Sequence, residues 1–129
     1  FKKHNTPHIF LHCTSAYPSD EKDKNLNCIP KLRSLLKDEV GFSGHGVGLS
    51  GAVGATALGA KVIEKHVTLN KKMLGPDHAA SLEFDTFKSL VDLCRKVNIS
   101  LGSHQKKFLN SEKILHNILI RKLFHRPIN

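Results

Sequence analysis

Three short apolar runs, His8 to Cys13, Val40 to Ser43 and Lys61 to Lys65, set the limits on how this chain can fold. Each ends in polar residues, and each is followed by more residues than a hairpin needs. The first runs into Thr14-Ser15-Ala16-Tyr17-Pro18, where Pro18 ends strand pairing because it lacks a backbone donor. After the polar, charged stretch Ser19 to Asn27, residues Ile29, Leu32, Leu35 and Leu36 fall on one face at helical spacing. Pro30 suits the first turn of that helix, where its missing N–H is not needed.

The second run is followed at once by Gly44-His45-Gly46. A Gly- and Ala-rich stretch, Val47 to Ala60, then predicts a helix that can approach a sheet closely and end at Gly59. The third run has His66 at its C-terminal edge. Beyond it, Val67 to Leu82 lacks periodicity and contains Gly75-Pro76-Asp77, which predicts a long irregular loop of the kind that more often carries function than decoration. Phe87, Leu90, Val91, Cys94 and Val97 mark an amphipathic helix, with Asp85 favourably placed at its N-terminus. Past Gly102 the chain is basic and less regular, and Ile114, Leu115, Ile118, Leu119 and Leu123 suit a helix or a strand pair equally.

Alternation of strand and helix with short connections is the pattern of parallel β/α units. The C-terminal strand ends carry Thr14 and Ser15, Ser43 and His45, and Glu64 and His66, and that edge is where ligands sit in β/α barrels and open parallel sheets. About three such units cannot close a barrel, for which about 250 residues are typical. The expectation is either a small open sheet or part of a larger molecule.

The 129 residues are 40% hydrophobic, enough for one core. No run of eighteen apolar residues occurs, and Phe1 to Pro7 lacks the features of a secretory signal, so the expected setting is cytoplasmic, with no membrane partner. Cys13, Cys28 and Cys94 are odd in number and widely spaced, which argues against a disulfide framework or a thiolate zinc site and predicts reduced, buried thiols. The net charge of +9 is unevenly spread. Residues 1–40 and 41–101 each carry seven basic and five acidic side chains, whereas the last 28 carry six and one. A tail-weighted charge without a helix-turn-helix, finger or RNA-stacking motif argues against nucleic-acid binding.

His45 and His66 each follow a strand directly, and adjacent strands would bring both imidazoles to one rim. Two imidazoles outline a divalent-metal site that leaves positions open for water and substrate oxygen. Two histidines 21 positions apart are equally compatible with solvated or hydrogen-bonded surface groups. Ser15 and Ser43 could cap the following segments, Tyr17 could pack a turn, and Asp77 could close an Asx turn after Pro76. Glu64 could support a histidine or face solvent, and His78 reads as structural.

Four stretches narrow these choices. Cys13 to Pro18, Gly41-Phe42-Ser43-Gly44-His45, Leu58-Gly59-Ala60-Lys61-Val62-Ile63-Glu64-Lys65-His66-Val67-Thr68-Leu69, and Gly75-Pro76-Asp77-His78-Ala79-Ala80-Ser81-Leu82-Glu83 resemble, in order and spacing, successive signatures of the sialic acid synthase family. The resemblance covers roughly residues 8 to 102. It implies an α/β fold in which residues 1–102 form the C-terminal part of a (β/α)8 barrel and residues 103–129 form a linker or tail. The implied reaction is condensation of phosphoenolpyruvate with N-acetylmannosamine, or a related N-acylated amino sugar, to give a sialic acid and phosphate. The implied cofactor is a divalent metal, usually manganese, held by His45 and His66. The resemblance puts Ser15, Tyr17 and Ser43 where the phosphate is bound, Asp77 against the sugar hydroxyls, and Glu64 in the catalytic layer.

The family's first barrel strands and its antifreeze-like domain have no counterpart in the 129 residues, so an incomplete and inactive fragment is expected, of a protein that in this family is a homodimer. Gly44 stands where many relatives carry an acid, and Ser15 where some carry asparagine. The basic run Arg121 to Asn129 matches nothing in the resemblance. Competing readings are a legionaminate- or pseudaminate-type synthase, a non-catalytic relic of the same fold, and a basic interaction module.

Overall fold

The computed structural model describes residues 4–124, with side chains described up to Leu119. Its centre is a three-stranded sheet of β1 (Phe10–Cys13), β2 (Val40–Gly44) and β3 (Ile63–Lys65) in the order β1-β2-β3. Both pairings are parallel, with Leu11 opposite Gly41, Cys13 opposite Ser43, and Ser43 opposite Glu64. Between the strands run α1 (Cys28–Leu36) and α2 (Ser50–Ala57); α3 (Phe84–Leu101) and α4 (Lys113–Phe124) follow.

The expected three β/α units are present, with adjusted edges. Strand pairing starts at Phe10 rather than His8 and at Ile63 rather than Lys61, and it reaches Gly44 rather than Ser43. The Gly- and Ala-rich helix is shorter than its composition suggests, spanning Ser50 to Ala57 instead of 47 to 60. Gly48 and Gly59 take positive φ angles at its two ends, where a residue with a Cβ would be strained.

Alternation along β2 divides the side chains between two faces. Val40 and Phe42 turn outward and bury against Ile29 of α1 and Ala55 of α2, with Leu26, Leu32, Leu36 and Ile63 packed around them. A second cluster joins Ala52 of α2 to Leu82 and Leu90, with Ile63 of β3 packed against it, so that α3 rests chiefly on α2. The opposite face carries Gly41 and Ser43. A Cβ at Gly41 would come within 2.5 Å of Leu11 Cδ2 and 2.6 Å of the Val62 carbonyl oxygen, so only glycine fits between β1 and the approach to β3.

One expectation is corrected and one open choice is decided. Cys13 and Cys28 are exposed and Cys94 is half-buried; all three are free thiols, as expected, but none is buried, because Cys13 lies at the end of β1 and Cys28 opens α1. Ile114 to Leu123 lie in a helix, α4, whose principal contact is the 3-10 turn Asn110–Glu112 just before it. The basic run Arg121 to Asn129 falls outside the residues whose side chains are described. No helix among the described residues is long and apolar enough to cross a membrane.

Candidate functional site

The parallel register brings the polar strand ends to one edge of the sheet. His45 leaves the end of β2 and His66 the end of β3, and their ring centroids are 5.0 Å apart at an interplanar angle of 83°. Tyr17, from the loop after β1, lies against His45 at 4.2 Å between ring centroids and 5.9 Å from His66. Its hydroxyl is 3.4 Å from His45 Nε2.

Ser43 links the two strands. Its hydroxyl donates to Glu64 Oε1 at 2.6 Å and lies 3.1 Å from His45 Nε2. The link exists because Ser43 and Glu64 are register partners, and His45, two positions on, stays on the same face. Neither serine caps a helix through its side chain: Ser43 is committed to Glu64 and His45, while Ser15 is exposed with its hydroxyl 3.9 Å from Cys13 Sγ. The hydroxyl of Ser15 is thus turned to Cys13 and not to the histidines.

Asp77 arrives from the long loop, its Oδ1 3.8 Å from His66 Nδ1. That loop is not wholly irregular. It contains a 3-10 turn, His78–Ala80, and it closes with a parallel bridge between Val67 and Leu82. Asp77 places no side-chain cap on the turn that follows it, so the Asx-turn reading is not borne out there. His66, Val67, Gly75, Pro76, Asp77, His78 and Ser81 line an open depression of about 430 Å³ beside the imidazole pair.

His45 is 7% exposed, and its Nδ1 is buried with no partner among the described residues. Burial, and next the neighbouring His66, hold its pKa below the usual imidazole value. The ring is therefore neutral at neutral pH, the state in which imidazole coordinates a metal. Among the described residues no three or more His, Cys, Asp and Glu side chains converge as a ligand set. The donors fit a divalent transition ion bound by two imidazoles with the remaining positions open, and not a closed structural site.

Sequence reasoning missed the supports of this loop. Ser19 donates its N–H to the His45 carbonyl at 3.2 Å, and the Lys65 ammonium donates to the Gly46 carbonyl, so the turn carrying His45 is clamped from both flanks. Burial, followed by the nearby Lys24 and Lys71 charges, pulls the Lys65 pKa below its usual value. Strand alternation was the available signal: Glu64 and His66 face the site, so Lys65 between them points into the layer beneath. Lys24, which belongs to the polar, charged stretch Ser19 to Asn27, is 5% exposed, with its ammonium on Glu21 and 3.4 Å from Ser50 Oγ.

A parallel α/β sheet with helices on one face and imidazoles, hydroxyls and carboxylates along its C-terminal edge is a segment of a (β/α)8 barrel of the enzyme type. Residues 1–106 match the NeuB family, and the chain belongs to it. The chain is 47% identical to the N-acetylneuraminate-9-phosphate synthase of Mus musculus over 80% of its own length and 29% of that protein's. It is 42% identical to a pseudaminic acid synthase of Campylobacter jejuni over 96% of its length and 36% of that protein's. Among solved structures, the N-acetylneuraminic acid (sialic acid) synthetase of Leptospira borgpetersenii, in complex with citrate, superposes with a TM-score of 0.81 at 35% identity, covering 98% of this chain and 44% of that one. The chain spans about a third of the length of the curated relatives it matches.

Proposed function

We propose that this chain supplies the metal- and sugar-facing part of a synthase that joins phosphoenolpyruvate to an N-acylated amino sugar, giving a sialic-acid-type sugar acid and phosphate. The observation that carries the reading is the convergence of His45 and His66, 5.0 Å apart, on one rim with Ser43, Glu64 and Asp77. Similarity to synthases of different sugar acids supports the reaction class and leaves the sugar open among N-acetylmannosamine-type, legionaminate-type and pseudaminate-type substrates.

His45 and His66 would hold a divalent ion, with manganese as our choice, and such an ion supplies Lewis acidity toward a substrate carbonyl. The remaining work falls to the side chains. Ser43, with Ser15 and Tyr17, offers hydroxyl donors to phosphate oxygens without adding full charges. Glu64 accepts the Ser43 hydrogen bond and so fixes that hydroxyl's direction. It also offers a carboxylate to take up a proton as water adds to the phosphate-bearing carbon, which is not the methylene carbon that attacks the aldehyde, and phosphate departs as its C–O bond breaks. Asp77 accepts hydrogen bonds from sugar hydroxyls and orients the open-chain aldehyde toward the enol carbon that attacks it.

The test is direct. The intact protein incubated with phosphoenolpyruvate, N-acetylmannosamine or its relatives, and manganese is expected to release phosphate and form a sugar acid. Manganese binding followed by calorimetry should weaken more than about 100-fold in His45→Ala and in His66→Ala. Unaltered manganese affinity in both variants would remove the proposed ligands, and absence of product with every amino sugar would remove the reaction.

A further inference from the structure

The excursion between β3 and α3 is held shut by its own hydrogen bonds. Leu82, fully buried, donates its N–H to the His66 carbonyl at 2.9 Å and accepts from the Thr68 N–H at 2.9 Å, which ties the two ends of the loop together. Inside that closure Thr68 is 5% exposed, and its hydroxyl lies 2.7 Å from His78 Nδ1. The same hydroxyl accepts from the Asn70 N–H at 3.3 Å.

Asp77 immediately precedes His78. Its carbonyl accepts from the Ala80 N–H at 3.2 Å and from the Ser81 hydroxyl at 2.7 Å, so the backbone at Asp77 belongs to the turn that His78 begins. The imidazole of His78 is packed against Gly75, where an added Cβ would come within 2.9 Å of its Cδ2. By contrast, the Asp77 carboxylate is about half exposed and stands 3.8 Å from His66 Nδ1, too far for a hydrogen bond to fix it. The carboxylate takes its place from the backbone of that turn, and the Thr68–His78 contact joins the turn's first side chain to the start of the loop.

We infer that Thr68 and His78 are positioning residues, whose hydrogen bond across the loop sets where Asp77 meets the amino sugar. The inference rests on the sugar-acid synthase reading for the identity of the ligand. A carboxylate that accepts from sugar hydroxyls discriminates by direction, and a loop free to drift would lose that direction while leaving the phosphate-facing hydroxyls of Ser15, Tyr17 and Ser43 untouched.

Thr68→Val removes the hydroxyl and keeps the shape, and Thr68→Ser returns it. In the intact protein, amide exchange followed by mass spectrometry should accelerate about five- to tenfold in residues 77–82 of Thr68→Val, the local effect of losing the contact to His78, with the Asn70 contacts of the same hydroxyl lost as well, while residues 40–57 keep their wild-type rate. Thr68→Ser should restore protection. In steady-state assays KM for the amino sugar should rise by a similar factor, with KM for phosphoenolpyruvate within twofold of wild type. Unchanged exchange in Thr68→Val overturns the inference. So does faster exchange that spreads equally to residues 40–57 and raises both KM values together, since that describes general packing. A protein that makes no sugar acid yet shows local, serine-reversible exchange overturns the functional reading and upholds the positioning of Asp77.

Discussion

Lys24 shows how a single side chain can be misjudged from its neighbours. It lies among Asp20, Glu21, Lys22 and Asp23, yet it is folded under the 3-10 turn Glu21–Asp23 toward α2. Its ammonium has left water and depends on Glu21 and Ser50. The hydrogen bonds from Lys24, then Ser50, hold the Glu21 pKa below the usual carboxylate value. A carboxylate pKa lowered in the folded state contributes stability that is complete above the ordinary value and fades as pH falls through the folded one, because the unfolded chain binds the proton first. Glu21→Gln should therefore cost about 1–2 kcal/mol at pH 7, most of it from the buried ammonium left without its counter-charge and reduced by the solvent around Glu21. The difference from wild type should shrink between pH 7 and a pH below the lowered Glu21 value, where both side chains are neutral. Urea midpoints at the two pH values read this directly, and an equal gap at both would mean that charge is not the cause.

At the scale of the elements, the tightest constraint is the approach of β1 and the β3 lead-in to β2 at Gly41. Phe42 donates its N–H to the Val62 carbonyl at 2.8 Å, the same oxygen that a Cβ at Gly41 would strike, so the backbone there cannot retreat without breaking the sheet. Gly41→Ala should cost about 1–3 kcal/mol, read as a lowered unfolding midpoint, while Gly54→Ala, facing only the Leu26 Cδ1 methyl at 2.9 Å, should cost less. These elements differ in how far the sequence revealed them. Short apolar runs with polar ends exposed the three strands and, through them, the meeting of His45 and His66, since parallel neighbours share a C-terminal edge. Apolar residues distributed nearly all round Lys113 to Phe124 left α4 undecided, because no stripe marks a helix without a stripe. The Thr68–His78 contact was invisible for a different reason: it spans a loop, and loops have no period to read.

Seen whole, the molecule has one sheet face covered by helices and one that carries the site. Among the described residues β1 and β3 each pair on one side only, and Leu11, Gly41 and Val62 lie on the uncovered face. Unpaired edges beside apolar surface favour association. Prepared alone, the 129 residues are expected to self-associate in sedimentation and to make no sugar acid, whereas a turnover-competent monomer would contradict both expectations. The parallel sheet with its polar ends at one edge could be anticipated from the strand pattern, and the barrel from the family resemblance, but the exposure of Cys13 could not, since it depends on what surrounds that face. One local feature reaches furthest. With Leu82 bonded to the backbone of both His66 and Thr68, residues 69–81 leave and return at the same point, so their length and chemistry can be exchanged like a cassette without disturbing either strand exit. On the proposed reading, a graft of that stretch from a synthase of another sugar acid is where a change of substrate is to be sought, because both of its junctions fall at one place in the fold.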